Sequence, residues 1–180
     1  MKALATQPCE EVSLDSVLRQ LAPQVRVWVF RQLGPDPDVD DVTQEALIQI
    51  ADALARFEGR SSLTTYARRI AVRVANRHRK RRGRRPLELV TPPQESVTPE
   101  RLAMDRESIV RLYRALDRLT ARRRTAFVLC DIEHLSHAEA AEVEGIKLET
   151  LRARLKHARA DLQRSLRSDP YLSRLFQETR

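Results

Sequence analysis

The sequence predicts an all-α protein built as two small helical domains joined by a flexible linker. Three observations carry that prediction. The 180 residues hold only 4 Gly and 4% aromatics, and Ala, Leu, Arg and Glu are abundant, a composition that favours helices. Apolar residues recur at helical spacing, and the β-branched alternation that strands need is missing. Four of the nine prolines (Pro86, Pro92, Pro93, Pro99) fall in one stretch, Gly83 to Glu100, that has no apolar periodicity.

Taken in order, Leu14, Val17, Leu18, Leu21, Val25, Trp28 and Val29 predict one or two helices up to Leu33, with Pro23 near a break or a helix start. Gly34-Pro35-Asp36-Pro37 is a turn, and Asp38 is a candidate N-cap. Val39, Val42, Ala46, Leu47, Ile50, Leu54 and Phe57 line one face of the next helix, which Gly59 ends; Asp41, Gln44, Glu45, Ile48 and Asp52 form the opposite stripe. Ser61 or Ser62 can cap a third helix that buries Leu63, Tyr66, Ala67, Ile70, Ala71 and Val74 and turns Thr65, Arg69, Arg73, Asn76 and Lys80 outward. Beyond the linker, Ile109, Leu112, Tyr113, Leu116 and Leu119 mark a helix, and Ala126, Phe127, Leu129, Cys130 and Ile132 mark another. The resulting division is 10–82, a linker at 83–100, 101–167 and a tail at 168–180. In that tail Tyr171, Leu172, Leu175 and Phe176 allow a short amphipathic turn.

Charge is segregated along the chain. The net charge is +8, yet Asp36 to Glu58 holds seven acidic residues against Arg56 alone, and Arg77 to Arg85 holds seven basic residues in nine positions. Separated acidic and basic segments fit two different partners, one of them a polyanion. Cys9 and Cys130 give no disulfide framework, and no apolar stretch is long enough to span a membrane. A signal-peptide core is not found, so the expected setting is a reducing cytoplasm without membrane insertion.

The sharpest local signal is Ser136 to Arg159, SHAEAAEVEGIKLETLRARLKHAR. Ser136 and Glu139 form a capping box, Ala140 and Ala141 permit a close helix crossing, and Gly145 allows a left-handed turn that Ile146 plugs. Leu148, Leu151, Leu155, Ala158 and Leu162 then point inward, leaving Glu149, Thr150, Arg152, Ala153, Lys156, His157 and Arg159 outward. That is the layout of a helix-turn-helix with its recognition helix; a plain helical hairpin with a solvated basic face has the same spacing. The helix Leu63–Arg82 with the preceding loop Phe57-Glu58-Gly59-Arg60-Ser61-Ser62 is a second candidate nucleic-acid surface, against a simply solvated arginine-rich helix end.

On these residues the chain resembles the sigma factors of bacterial RNA polymerase, in the extracytoplasmic-function (ECF) group, along Leu14 to Leu166. Asp40-Asp41-Val42-Thr43-Gln44-Glu45 is similar to that family's core-binding helix. Phe57 to Tyr66 with Arg69-Ile70-Ala71 resembles its −10 segment, and Leu116-Asp117-Arg118-Leu119-Thr120 to Leu162 its −35-binding domain. The resemblance implies a region 2-like and a region 4-like domain. Asp41, Gln44, Glu45 and Ile48 would dock on the β′ clamp helices. Arg60, Ser61, Ser62, Thr65, Tyr66, Arg69, Arg73 and Arg77 would capture the melted −10 strand. Glu149, Thr150, Arg152, Ala153, Lys156 and His157 would read the −35 major groove. It further implies contact with the β flap, passage of the linker with Glu88, Glu95 and Glu100 near the polymerase active centre, and an anti-sigma factor as partner.

Four residues depart from the family pattern: Tyr66 for Trp, Arg73 for Asn, Thr120 for Pro, and Glu144 for an apolar residue before the turn glycine. No enzyme activity, small-molecule substrate, cofactor or metal is expected. Asp38, Asp40 and Asp41 read as a solvated helix start, and Cys130, His134 and His137 lack a fourth ligand. The readings weighed against a sigma factor are a stand-alone helix-turn-helix regulator, which has no use for an outward acidic stripe beside Ile48, and an RNA-binding protein.

Overall fold

In the computed structural model, residues 14–83 and 99–167 are described, with side chains from residue 107 onward in the second block. The proposed limit at residue 10, most of the linker and the 168–180 tail lie outside the described residues. Among those described, the elements are α1 (Leu14–Leu33), α2 (Val39–Leu54), α3 (Leu63–Arg82), α4 (Pro99–Leu116), α5 (Ala121–Phe127), a π-helical turn (Val128–Ile132), α6 (His137–Glu144) and α7 (Leu148–Arg167).

The first three helices form a bundle. Leu21, Val25, Trp28, Val29 and Leu33 of α1 pack with Val39, Val42, Ala46 and Ile50 of α2 and Ala67, Ile70, Ala71 and Val74 of α3. α1 is continuous through Pro23, so the expected break is absent there. α2 ends at Leu54, before Gly59. Asp38 occupies the N-cap position of α2, but its side chain makes no capping bond. Asp36 takes over the local bonding by accepting the Asp38 amide at 3.0 Å. Ser62 caps α3 by accepting the Thr65 amide at 3.0 Å, and Ser61 does not.

The second half begins earlier than expected. α4 starts at Pro99, a residue assigned to the linker, because proline suits a first helical turn. The segment Ala126–Ile132 is not one α-helix: after Phe127 the Glu133 amide bonds back to Val128 O at 2.9 Å, a five-residue step that inserts a π turn. The helix-turn-helix forms as read. The Ser136 hydroxyl accepts the Glu139 amide at 3.2 Å, the Ser136 amide donates to the Glu139 carboxylate at 2.9 Å, and Gly145 is left-handed at φ 65 and ψ 39. Those bonds from Ser136 hold the Glu139 carboxyl below its usual range. Ser136→Ala is expected to cost about 1 kcal/mol of stability in a urea titration, the ordinary worth of a cap.

The two halves pack against each other. Val72 of α3 sits in a cluster with Ala126, Leu129, Ala140, Val143, Leu151 and Leu155 from the second half. At the C-terminus of α1, where helix carbonyls lose their intrahelical donors, the second half supplies them. The Tyr113 hydroxyl donates to Arg31 O at 2.9 Å, and the Arg124 guanidinium donates to Gln32 O at 2.8 Å and Leu33 O at 3.2 Å. Arg124 is fully buried, lies 5.4 Å above the Tyr113 ring and is neutralised by Asp117 at 2.7 Å. Burial, with Arg79 adding repulsion and Asp117 opposing, brings its pKa down to about 10; burial pushes the Tyr113 hydroxyl up to about 12. A cation at a helix C-terminus also meets the negative end of the helix dipole.

Candidate nucleic-acid and polymerase interfaces

Three surfaces emerge from this frame. On α2, Val42, Ala46 and Ile50 turn inward, which forces Asp41, Gln44 and Ile48 outward. Ile48 is 63% exposed, one of two large aliphatic side chains so placed among the described residues, with Leu14 at 50%. Glu45 is on the same stripe but not free: Arg77 of α3 donates to it at 3.1 Å and Arg81 at 3.2 Å.

The second surface is the loop after α2 and the outer side of α3. Arg60 and Ser62 are exposed, and Arg60 pairs with Glu58 at 2.6 Å. Ser61 and Thr65 are half-buried; the Ser62 and Thr65 hydroxyls lie 2.9 Å apart, so Thr65 is part of the cap structure. Tyr66 packs on Phe57 with ring centroids 5.0 Å apart, and its hydroxyl reaches Ala53 O at 3.5 Å. Arg73 and Arg77 are exposed. Arg69 is only half-exposed, because its guanidinium donates to Glu142 O at 2.5 Å across the junction between the halves. Asn76, expected outward, is likewise half-buried and donates to the Thr125 hydroxyl at 3.0 Å.

The third surface is α7. Leu151, Leu155, Ala158 and Leu162 are buried, and Glu149, Thr150, Arg152, Ala153, Lys156 and His157 are all exposed on the other side. Arg159 departs from the expected open basic face: it pairs with Asp131 through bonds of 3.0 and 2.5 Å, and the bond to Asp131 raises its pKa. Glu144, the polar residue before the turn glycine, is paired with Arg154 of α7 at 2.5 Å. Burial raises the Glu144 carboxyl while Arg154 opposes the rise. A carboxylate is tolerated there because α7 brings its own cation.

Sequence reasoning missed the packing roles of Val72, Arg124 and Glu133 and the bond from the Tyr113 hydroxyl to Arg31 O. Val72 was a faint signal, an apolar residue on the outward side of a basic helix. Among the described residues, Asp36, Asp38 and His78 are the group whose ligand atoms approach within 4.8 Å. Arg82 already holds the Asp36 carboxylate as an ion pair, and His78 faces Asp38 at 3.3 Å. Among the described residues, no helix is long and apolar enough to cross a membrane.

Comparison with known proteins agrees with this layout. Residues 17–85 match the family described as Sigma-70 region 2, and residues 109–162 match Sigma-70, region 4. The chain is 32% identical over 156 residues to the ECF RNA polymerase sigma factor SigE of Mycolicibacterium smegmatis, covering 84% of this chain and 60% of that protein's length. It is 30% identical over 166 residues to the RNA polymerase sigma-H factor of Pseudomonas aeruginosa, covering 86% of each. Among solved structures, the sigma factor RpoE of Bartonella quintana, crystallised with the anti-sigma factor NepR, superposes with a TM-score of 0.64. That likeness, at 20% identity over 88% of this chain and 99% of that one, concerns the fold. An α2 stripe, a basic α3 and a helix-turn-helix, in the order of two matched regions, thus have one explanation: the chain belongs to the sigma-70 family of RNA polymerase sigma factors, in its ECF group.

Proposed function

We propose that this chain carries core RNA polymerase to promoters through a fixed assignment of its three surfaces. Asp41, Gln44, Glu45 and Ile48 dock on the β′ clamp helices. Arg60, Ser61, Ser62, Thr65, Tyr66, Arg69, Arg73 and Arg77 hold the melted −10 strand. Glu149, Thr150, Arg152, Ala153, Lys156 and His157 enter the −35 major groove, with the β flap supporting that half. Residues 10–82 and 101–167 are the two working domains, 83–100 connects them, and 168–180 is a tail.

The observation that carries the reading is Ile48, exposed between carboxylate and amide side chains on a helix whose other face is fully committed to the core. A free-standing DNA-binding regulator gains nothing from that arrangement, whereas a docking helix needs an apolar anchor inside a polar rim. Melting is driven by binding energy: unstacked bases are held by the α3 loop, with no bond made or broken by the protein. The work is done in the cytoplasm, which fits the free thiol of buried Cys130. An anti-sigma factor is the expected regulator; the sigma factor RpoE, of similar fold, is described in complex with the anti-sigma factor NepR, and CnrH, also of similar fold, in complex with the cytosolic domain of CnrY.

Run-off transcription with purified core polymerase on a library of upstream regions tests the function, and absence of any specific transcript would refute it. In a pull-down, Asp41→Ala with Gln44→Ala is expected to reduce core binding at least tenfold; full retention would remove the α2 assignment. Arg152→Ala is expected to weaken binding to a selected −35 duplex by about 1–3 kcal/mol in a gel-shift titration at fixed salt.

A further inference from the structure

A cleft lies between α3 on one side and α5 and the turn after α6 on the other. Its volume is about 480 Å³, within the roughly 300–1,000 Å³ of sites that take one small molecule. Part of its lining is apolar: Val72 and Val143 are both buried and belong to one cluster. The rest is dominated by cations. Arg69 and Arg73 stand about one helical turn apart on α3, and Arg122 lines the same cleft from α5.

These guanidiniums are little used within the chain. Arg73 and Arg122 are exposed, and among the described residues neither forms a hydrogen bond or an ion pair. Arg69 uses one nitrogen on Glu142 O, and its Nε is buried with no hydrogen-bond partner among the described residues. Each guanidinium carries five N–H donors in a planar fork that matches the oxygens of a phosphate. The carboxylate on the cleft wall, Glu144, is held by Arg154 from α7 and does not cancel three arginines. Positive charge between low-dielectric walls concentrates anions in such a cleft.

We propose that this cleft binds a nucleotide-sized molecule carrying linked phosphates. Arg69, Arg73 and Arg122 take the phosphate oxygens, and Val72 and Val143 lie against the attached ring. The site goes beyond the three surfaces assigned above, since Arg122 belongs to none of them. Phosphates seated there exclude a DNA strand from Arg69 and Arg73, a consequence that rests on the assignment of α3 to strand capture.

The test titrates the full-length chain with ADP, inorganic pyrophosphate and adenosine by calorimetry at roughly 0.15 M salt. ADP is expected to bind one to one, pyrophosphate at least about fivefold more weakly, and adenosine without measurable heat. Arg73→Gln and Arg122→Gln, checked for unchanged helix content by circular dichroism, are each expected to weaken ADP binding at least about fivefold. Arg164→Gln, which removes the same charge from the far part of α7, is expected to leave it unchanged. ADP is also expected to displace a fluorescein-labelled, mixed-sequence single-stranded 15-mer from the wild type, while Arg122→Gln leaves strand affinity unchanged. No heat with ADP up to roughly 1 mM, or an equal loss in Arg164→Gln, would overturn the site. Pyrophosphate binding as tightly as ADP would overturn the ring contact. Arg122→Gln weakening the strand as much as ADP would overturn the small-molecule assignment and give the cleft to nucleic acid. Specific ADP binding without displacement would overturn the exclusion and place the fault with the α3 assignment.

Discussion

Trp28→Ala is expected to lower the unfolding free energy of the first half by about 3–5 kcal/mol, read as a fall in the urea midpoint at unchanged slope. Trp28 is the single tryptophan of the chain and is 3% exposed in the C-terminal half of α1, within the core shared with α2 and α3. Removing it opens a cavity that three packed helices relax into only partly. It also removes the surface under a cation: the Arg68 guanidinium lies 4.7 Å above the indole ring. Arg68 in turn faces Glu133, so the loss propagates into the junction between the halves. Trp28→Phe keeps an aromatic face and is expected to lose less than half as much. Equal losses for Ala and Phe would mean that neither the volume nor the aromatic face that Phe retains sets the cost, and would refute this account.

Glu133→Gln is expected to leave stability near pH 5 unchanged and to raise it at pH 8, by an amount on the order of 3 kcal/mol. The Glu133 side chain is 1% exposed, with Arg68 3.6 Å away and the Gln32 side chain beside it. Burial raises its pKa from 4.5 to about 7, with Arg68 and Arg31 opposing the rise. The sign follows from proton counting. Between pH 4.5 and 7 the unfolded chain has lost the proton and the folded chain still holds it, so stability falls as pH rises through that window. Above about 7 the loss is complete. Glutamine imitates the protonated acid and has no such slope. Urea titrations of both proteins at pH 5 and 8 check this, and the difference between them cancels every other titrating group. A wild-type curve parallel to the variant's across that range would show that Glu133 ionises normally in the folded chain.

What could be read from the sequence tracks the range of the interaction. The frame of the helix-turn-helix was legible because each of its devices is local: Ser136 and Glu139 are three residues apart, Gly145 is alone at its turn, and the leucines of α7 repeat at helical spacing. The pairing of Arg159 with Asp131 and the half-burial of Leu148 were not legible. The outward positions of Asp41, Gln44 and Ile48 followed from the same periodicity. Arg124 was not legible. It sits in the run Arg122-Arg123-Arg124, where charge alone predicts solvent, and only the unfilled carbonyls of a helix some 90 residues earlier make its burial favourable. Val72 and Asn76 failed for the same reason, since their partners lie in the other half of the chain. The π turn after Phe127 leaves no mark in the apolar pattern. The departures from the family pattern divide similarly: Glu144 is explained by Arg154 facing it, and nothing in the structure explains Arg73.

Glu45 has a thermodynamic consequence. Its carboxylate belongs to the stripe proposed to meet polymerase, yet it is the counter-ion of Arg77 and Arg81 on the helix proposed to meet DNA. Two ligands that draw on opposite members of one ion pair are linked, and linkage is reciprocal. Phosphates that take the arginines release the carboxylate toward the clamp, and a clamp cation that takes the carboxylate releases the arginines toward DNA, by equal factors. Both pairs are substantially solvated, which limits the coupling to about 1 kcal/mol, or roughly fivefold. That is enough to make each of the two associations tighter in the presence of the other, with no movement of the backbone between them.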